Sequence, residues 1–326
     1  MKLAIAACIA IAVCGCAETQ TAKSQAGGAE IMEGYALGEA VTHGNATFIP
    51  VLSTKQEPDI VVDDTITLAE AKKNGWVEII EIPGDEQVEF LNVRNSGPKP
   101  LFLMSGQLLL GGKQDRVVAE DTLVPPGKTV RVPVYCVEHG RWSGNSKHFD
   151  YGDTMVPDKV RKSAQYDGQA AVWEDVAEAN ETVLQGRPIG GVSSSIRTFL
   201  NDEDVQKQVK GSVDLVSSKL SGPDVVGVVF VLNGEIQTLE MFGSPSLFKL
   251  AARPLLESFM GEAIFAPKAS KQVDNAKLRE FVKVCLAAPR GDDEGVNVVA
   301  GKGIRGNEYK SAAASKPMHG SFEPTK

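Results

Sequence analysis

Two periodicities divide the chain. Between residues 31 and 155, short runs rich in β-branched residues recur with turn formers between them. Runs 76–82 and 88–93 are bounded by Pro83, Gly84 and Asp85 and then by Asn95, Gly97 and Pro98. Runs 101–104, 117–124 and 129–137 continue the series, with Pro125, Pro126 and Gly127 as a tight turn. One helix, over 67–73, breaks it after Asp63, Asp64 and Thr65. Strands this short and closely spaced predict an N-terminal antiparallel β-sandwich-like lobe.

Beyond about residue 156 the apolar positions fall at helical spacing. Helices are expected over 169–184, after the serines at 193–195, over 202–220, from Ser244 and Pro245 to about 264 with a bend at Pro254, and over 275–288. Strands 225–232 and 235–241 flank Asn233 and Gly234, a pair suited to a type I′ hairpin turn. A strand over 296–300 and a short one near His319 follow. The class is therefore α+β: the β-rich lobe at 31–155, then an α+β lobe at 156–326 with a hairpin and several helices, the two forming one unit over 31–326.

The first thirty residues obey neither period. Lys2 precedes an uncharged, Ala/Ile-rich run over 3–13, the length of a signal-peptide core and too short to span a bilayer. Val13, Cys14, Gly15 and Cys16 then match the lipobox of bacterial lipoproteins. This reading removes residues 1–15 as a signal peptide and places acyl chains on Cys16, with two or three chains making release from the membrane negligible. Val13 and Gly15 would also satisfy ordinary signal cleavage, so simple secretion is the alternative. Residues 16–30 are small and polar and read as a flexible tether reaching about 20 Å. Ala17 after the acylated cysteine implies, by likeness to Gram-negative lipoproteins, an outer-membrane position facing the periplasm.

Charge narrows the partners. A net charge of −8 over 326 residues, with no Lys/Arg cluster, argues against nucleic acid or an anionic bilayer surface. The five cysteines leave only Cys136 and Cys285 as thiols in the folded body, too few for a disulfide framework. Both lie among apolar residues and read as small buried hydrophobes, although a bridge between them is an open alternative.

Several motifs fail on inspection. Gly301, Gly303 and Gly306 match G-x-G-x-x-G, but too little chain follows for the helix, second strand and acid of a dinucleotide site. Residues 106–114 resemble a P-loop with the wrong glycine spacing and no Ser or Thr after Lys113. Cys136, His139, His148 and Asp150 contain metal-ligand types without two tight pairs, which leaves His139 and His148 as a weak metal alternative. No cofactor is expected.

The densest chemistry lies in Gln107, Gln114, Asp115 and Arg116, then Cys136, Glu138, His139, Arg141 and Trp142. Here the chain resembles the ARPP domain family, named for ADP-ribosylglycohydrolase and rhodanese-phosphatase gene neighbours. The family pattern is matched at Gly106, Gly111, Lys113, Gln114, Arg116, Pro125, Gly127, Cys136, Glu138, Gly140, Arg141 and Trp142. Gln107 and Asp115 depart from it, standing where the pattern carries Glu and Asn. The family name implies a link to ADP-ribose chemistry by gene neighbourhood and carries no assigned activity.

Three readings of the motif follow. As a binding module, Gln114, Arg116, Arg141 and Trp142 would hold an anionic small molecule or an envelope protein, with the arginines clamping charge and Trp142 forming an apolar wall. As a hydrolase acting on a phosphorylated or ADP-ribose-like substrate, Glu138 would be the general base and His319 or His139 the acid. As structure, Glu138 would pair with an arginine to lock a sheet edge. A membrane-anchored, non-enzymatic binding or interaction module is the leading expectation.

Overall fold

The computed structural model describes residues 29–55, 62, 64–82, 88–139, 149–184, 194–269 and 271–325. Cys16, the signal segment and all but the last two residues of the expected tether lie outside them. Those last two, Ala29 and Glu30, already pair with Leu37 and Ala36 in a sheet.

The chain opens with β1 (Ala29–Met32), β2 (Tyr35–Leu37), β3 (Val41–His43) and β4 (Ala46–Ser53). A six-residue helix, α1 (Leu68–Lys73), follows with a reciprocal capping box between Thr67 and Glu70. Next come β5 (Val77–Glu81), β6 (Phe90–Asn95), β7 (Leu101–Leu103), β8 (Gln107–Gly111), β9 (Arg116–Val118), β10 (Thr122–Val124), β11 (Thr129–Cys136) and β12 (Phe149–Met155). Helix α2 (Asp158–Lys162) runs into a π-helical turn, Ser163–Asp167, and then α3 (Gln169–Leu184). Short α4 (Arg197–Leu200) and long α5 (Glu203–Leu220) precede β13 (Val225–Leu232) and β14 (Glu235–Phe242). Helices α6 (Pro245–Phe265) and α7 (Asn275–Ala287) lead to β15 (Gly295–Gly301), β16 (Ile304–Lys310) and β17 (His319–Pro324). The class is α+β, as expected, with antiparallel sheets throughout.

Six strands form one sheet in the order β12-β8-β9-β11-β6-β5, and β7 pairs with β10 beside it. The other large sheet runs β1-β2-β4-β13-β14-β17-β16-β15, with β3 also on β4. Its central strand β13 is buried at all eight positions. Val228, Phe230 and Leu232 face the cluster that includes α6, while Val229 and Val231 face α7. Phe230 stacks on Phe259 of α6 with ring centres 4.5 Å apart. The β13–β14 turn has Asn233 at φ 53° and Gly234 at φ 83°, the left-handed pair that Asn-Gly predicts.

Sheet membership does not follow the expected division near residue 155. Strands β1 to β4 belong to the sheet of the second half, because β4 pairs along its length with β13 (Phe48↔Phe230). The period-2 pattern marks a strand but carries no information about which distant edge it joins. Helix α6 passes through Pro254 without interruption. The helix expected after the serines is a single turn, α4. Cys136 and Cys285 are both buried free thiols, and Cys285 packs in the cluster beneath α7.

Candidate functional site

The motif begins as a hairpin. Between β8 and β9 the chain turns through Gly111 (φ 122°) and Gly112 (φ 61°), angles that L side chains rarely adopt. A Cβ on Gly112 would lie 2.3 Å from Phe149 Cζ and 2.6 Å from Glu81 Oε1. Three carboxylates take the backbone N–H groups of this loop. Gly111 donates to Asp115 Oδ1 at 2.6 Å, Lys113 to Glu81 Oε1 at 2.9 Å, and Asp115 to Glu138 Oε2 at 3.4 Å. Asp115 also receives Arg197 in bidentate fashion, at 2.5 Å from Nε and 2.8 Å from Nη2.

Glu138, just beyond the end of β11, is buried. Its Oε1 accepts the Ser195 hydroxyl at 2.6 Å, and Ser195 pairs with it as an isolated bridge. Gln114 Nε2 donates to the Glu138 carbonyl at 3.4 Å. Arg116 is fully buried, donating from Nε to Val88 O and from Nη1 to Asp115 O, each at 3.3 Å. Cys136 is held through its backbone by both ends of the Gln169 amide, at 2.8 Å each. Burial pushes its thiol pKa up, against the pull of Arg116. His139 packs edge-on to Trp173, with ring centres 4.6 Å apart. Arg141, Trp142 and His148 lie outside the described residues. Among the described residues no group of three His, Cys, Asp or Glu side chains is placed to hold a metal.

The two departures from the family pattern have separate local answers. Gln107 opens β8, where its Oε1 accepts from Met104 N at 2.9 Å and its amide faces Asp153 Oδ1 at 3.5 Å. A Glu at 107 would face another carboxylate there. Asp115 bonds to the opposite end of β8 and answers Arg197. Asp115 therefore does not stand in for a carboxylate at position 107.

His319 sits elsewhere, in a buried ionic chain. Its Nδ1 lies 2.5 Å from Asp121 Oδ2 and its Nε2 lies 2.9 Å from Glu240 Oε2. Glu240 is bound in turn by Arg161, whose guanidinium also meets Asp158 at 3.0 Å. Lys162 joins Asp158 (3.0 Å) to Glu323 (3.7 Å), and Arg305 joins Glu323 (2.5 Å) to Asp167 (2.9 Å). The result is nine groups of alternating sign, from Asp121 in the interior to Asp167 at the surface. Side chains of Arg161, Glu240 and His319 are 0% exposed. Thr238 and Ser321 hydroxyls donate to Glu240 Oε1 at 2.8 and 2.9 Å.

Burial opposes the charge on His319, but Asp121 and then Glu240 outweigh it and raise its pKa to about 9. Burial would raise the Glu240 pKa, yet Arg161 and His319 drive it far below the usual carboxylate range. At neutral pH His319 is therefore an imidazolium with both N–H groups engaged by carboxylates. The first motif glycine serves this chain too. Gly106 has φ 95°, and a Cβ there would lie 2.5 Å from Arg161 Cγ.

Glu138 and His319, the expected base and acid, are thus engaged by different groups. Sequence reasoning missed Ser195, Arg197, Asp121, Asp158, Arg161 and Glu240. One signal was present: Glu240 shares a strand face with Thr238 and Phe242 in the strand that pairs with the wholly apolar β13.

The family model described as ARG and Rhodanese-Phosphatase-superfamily-associated Protein domain, ARPP-1, matches residues 34–320. The chain matches no curated protein and no solved structure.

Proposed function

From a chain that belongs to the ARPP-1 domain family, we infer an envelope lipoprotein, anchored through Cys16 at the outer membrane, whose folded body is a non-enzymatic binding or interaction module. One observation carries the non-catalytic part: the acid and base candidates are already committed to internal partners. Glu138 accepts from Ser195 and from the Asp115 amide, and His319 is held on both nitrogens. A general base needs an available lone pair within reach of substrate. The motif's polar groups instead hold a hairpin, a strand end and α4 together, leaving an envelope protein or an anionic molecule to be met by the rest of the surface.

Glu138→Gln separates the readings. The amide keeps one accepting oxygen and turns the other into a donor, so either the Ser195 hydroxyl or the Asp115 N–H loses its acceptor and stability should fall by about 1–3 kcal/mol, read by urea unfolding. Turnover of ADP-ribose or a phosphate ester that this variant abolishes, with unfolding unchanged, would favour the hydrolase instead. The anchor has its own check. Cells fed labelled palmitate should yield a labelled protein, and Cys16→Ser should remove the label. An unlabelled wild-type protein retaining its first fifteen residues would overturn the anchored placement.

A further inference from the structure

The face of the nine-stranded sheet that packs on α7 carries charged residues of its own. Gly320 of β17 lies between Met241 of β14 and Glu308 of β16 in one register row. Strand alternation puts the neighbouring His319 on the opposite face. Gly320 adds no side chain to the row, and a Cβ there would stand 2.8 Å from Phe322 Cε2. Beside it a cavity of about 220 Å³ opens between Tyr35, Met241, Leu286, Arg290, Glu308 and Lys316. That is room for roughly seven waters at about 30 Å³ each. Sites for drug-sized molecules begin near 300 Å³, so an occupant here is small.

The lining is incompletely satisfied. Glu308 is 6% exposed, and Arg290 Nε engages only its Oε2, at 2.6 Å. Among the described residues nothing donates to Oε1, and a buried carboxylate oxygen without a donor is unfavourable. Arg290 uses four of its five N–H groups, on Glu308 and on the carbonyls of Cys285, Leu286 and Ala288 at the end of α7. One N–H remains on Nη2. Tyr35, Met241 and Leu286 are only partly buried and supply apolar walls.

We propose that this cavity binds a free α-amino acid with a small apolar side chain. Such a molecule carries an ammonium and a carboxylate on one carbon, matching the carboxylate and guanidinium that Glu308 and Arg290 present side by side. The ammonium donates to Glu308 Oε1. The carboxylate takes the remaining Arg290 N–H and the charge of Lys316, and the side chain lies against Tyr35, Met241 and Leu286. A simple anion would meet Glu308, and a simple cation would meet Arg290 and Lys316. A small zwitterion answers both. The site is separate from the 106–142 motif and does not depend on whether that motif is structural or catalytic.

Titration calorimetry of the full chain in detergent should show saturable binding of L-alanine, L-leucine or L-methionine. 3-Methylbutylamine and 4-methylpentanoate, which are leucine without its carboxylate and without its amine, should not bind. Glu308→Gln should weaken amino-acid binding about tenfold or more, the scale of one hydrogen bond to a charged group. Leu286→Trp fills the cavity and should abolish binding, with an unchanged melting temperature because the position is only partly buried. No saturable heat with any of the three amino acids, equal affinity for the amine or the acid, or binding that survives Glu308→Gln or Leu286→Trp at full strength would each overturn the proposal.

Discussion

Replacing Glu240 with alanine is expected to remove about 3–5 kcal/mol of stability, the usual loss when one partner of a buried ion pair is deleted. Whole domains are stable by only about 5–15 kcal/mol, so this change approaches global unfolding. The physical cause is stranding. Arg161 and His319 stay buried after the carboxylate has gone, and the hydroxyls of Thr238 and Ser321 each lose one of two acceptors. Desolvating these charges is unfavourable, and only their mutual attraction offsets it. A double-mutant cycle reads that attraction directly. Glu240→Ala combined with Arg161→Met should cost less than the sum of the two single changes. Additive losses in urea would mean that the two groups do not depend on each other.

The second large effect is on pH dependence. Asp121 and then Glu240, outweighing burial, push the His319 pKa up to about 9 from its ordinary value of 6.5. A raised pKa means that the folded state holds the proton more tightly. The stabilisation is fully present below pH 6.5 and is lost as pH rises through about 9, amounting to about 3 kcal/mol. Above that range a neutral ring leaves Asp121 and Glu240 facing each other across it with too little positive charge.

Two other groups act in different windows. Glu240, with its pKa lowered, contributes above its unfolded value of 4.5 and loses that contribution as pH falls. Glu262, raised to about 7 by burial and then by Asp158, lowers stability as pH rises from 4.5 to about 7. Unfolding free energies measured across the alkaline range should therefore decline for the wild type. The decline between neutral pH and about pH 9 should be flatter for His319→Gln, which cannot titrate. Parallel curves for the two proteins would show that His319 does not carry the effect.

These expectations recast the terminal histidine. Read along the chain, His319 is a candidate acid by residue type alone. Its surroundings make it a structural cation: within the nine-stranded sheet it ties β17 to β14, and through Asp121 it ties that sheet to the β9–β10 connection. A similar change applies to Arg116 and Glu138. Their presence was legible, but residue type alone cannot say whether a charged side chain points to a ligand or to a backbone N–H.

Local features were determined by the amino-acid order itself. The Asn233-Gly234 turn, the Asp202 and Asp274 caps of α5 and α7, and the buried stripe of Val205, Val209, Val213 and Val216 depend on neighbours within a few residues. Their energetics are complete over that distance. The pairing of β4 with β13 and the assembly of Asp121, Asp158, Arg161, Glu240 and His319 were decided only in three dimensions. Each of these five groups is unfavourable to bury alone; Asp158 meets Arg161 within one helical turn, but Glu240, His319 and Asp121 become tolerable only beside partners 79 or more residues away. That compensation exists only once the sheets have closed around it.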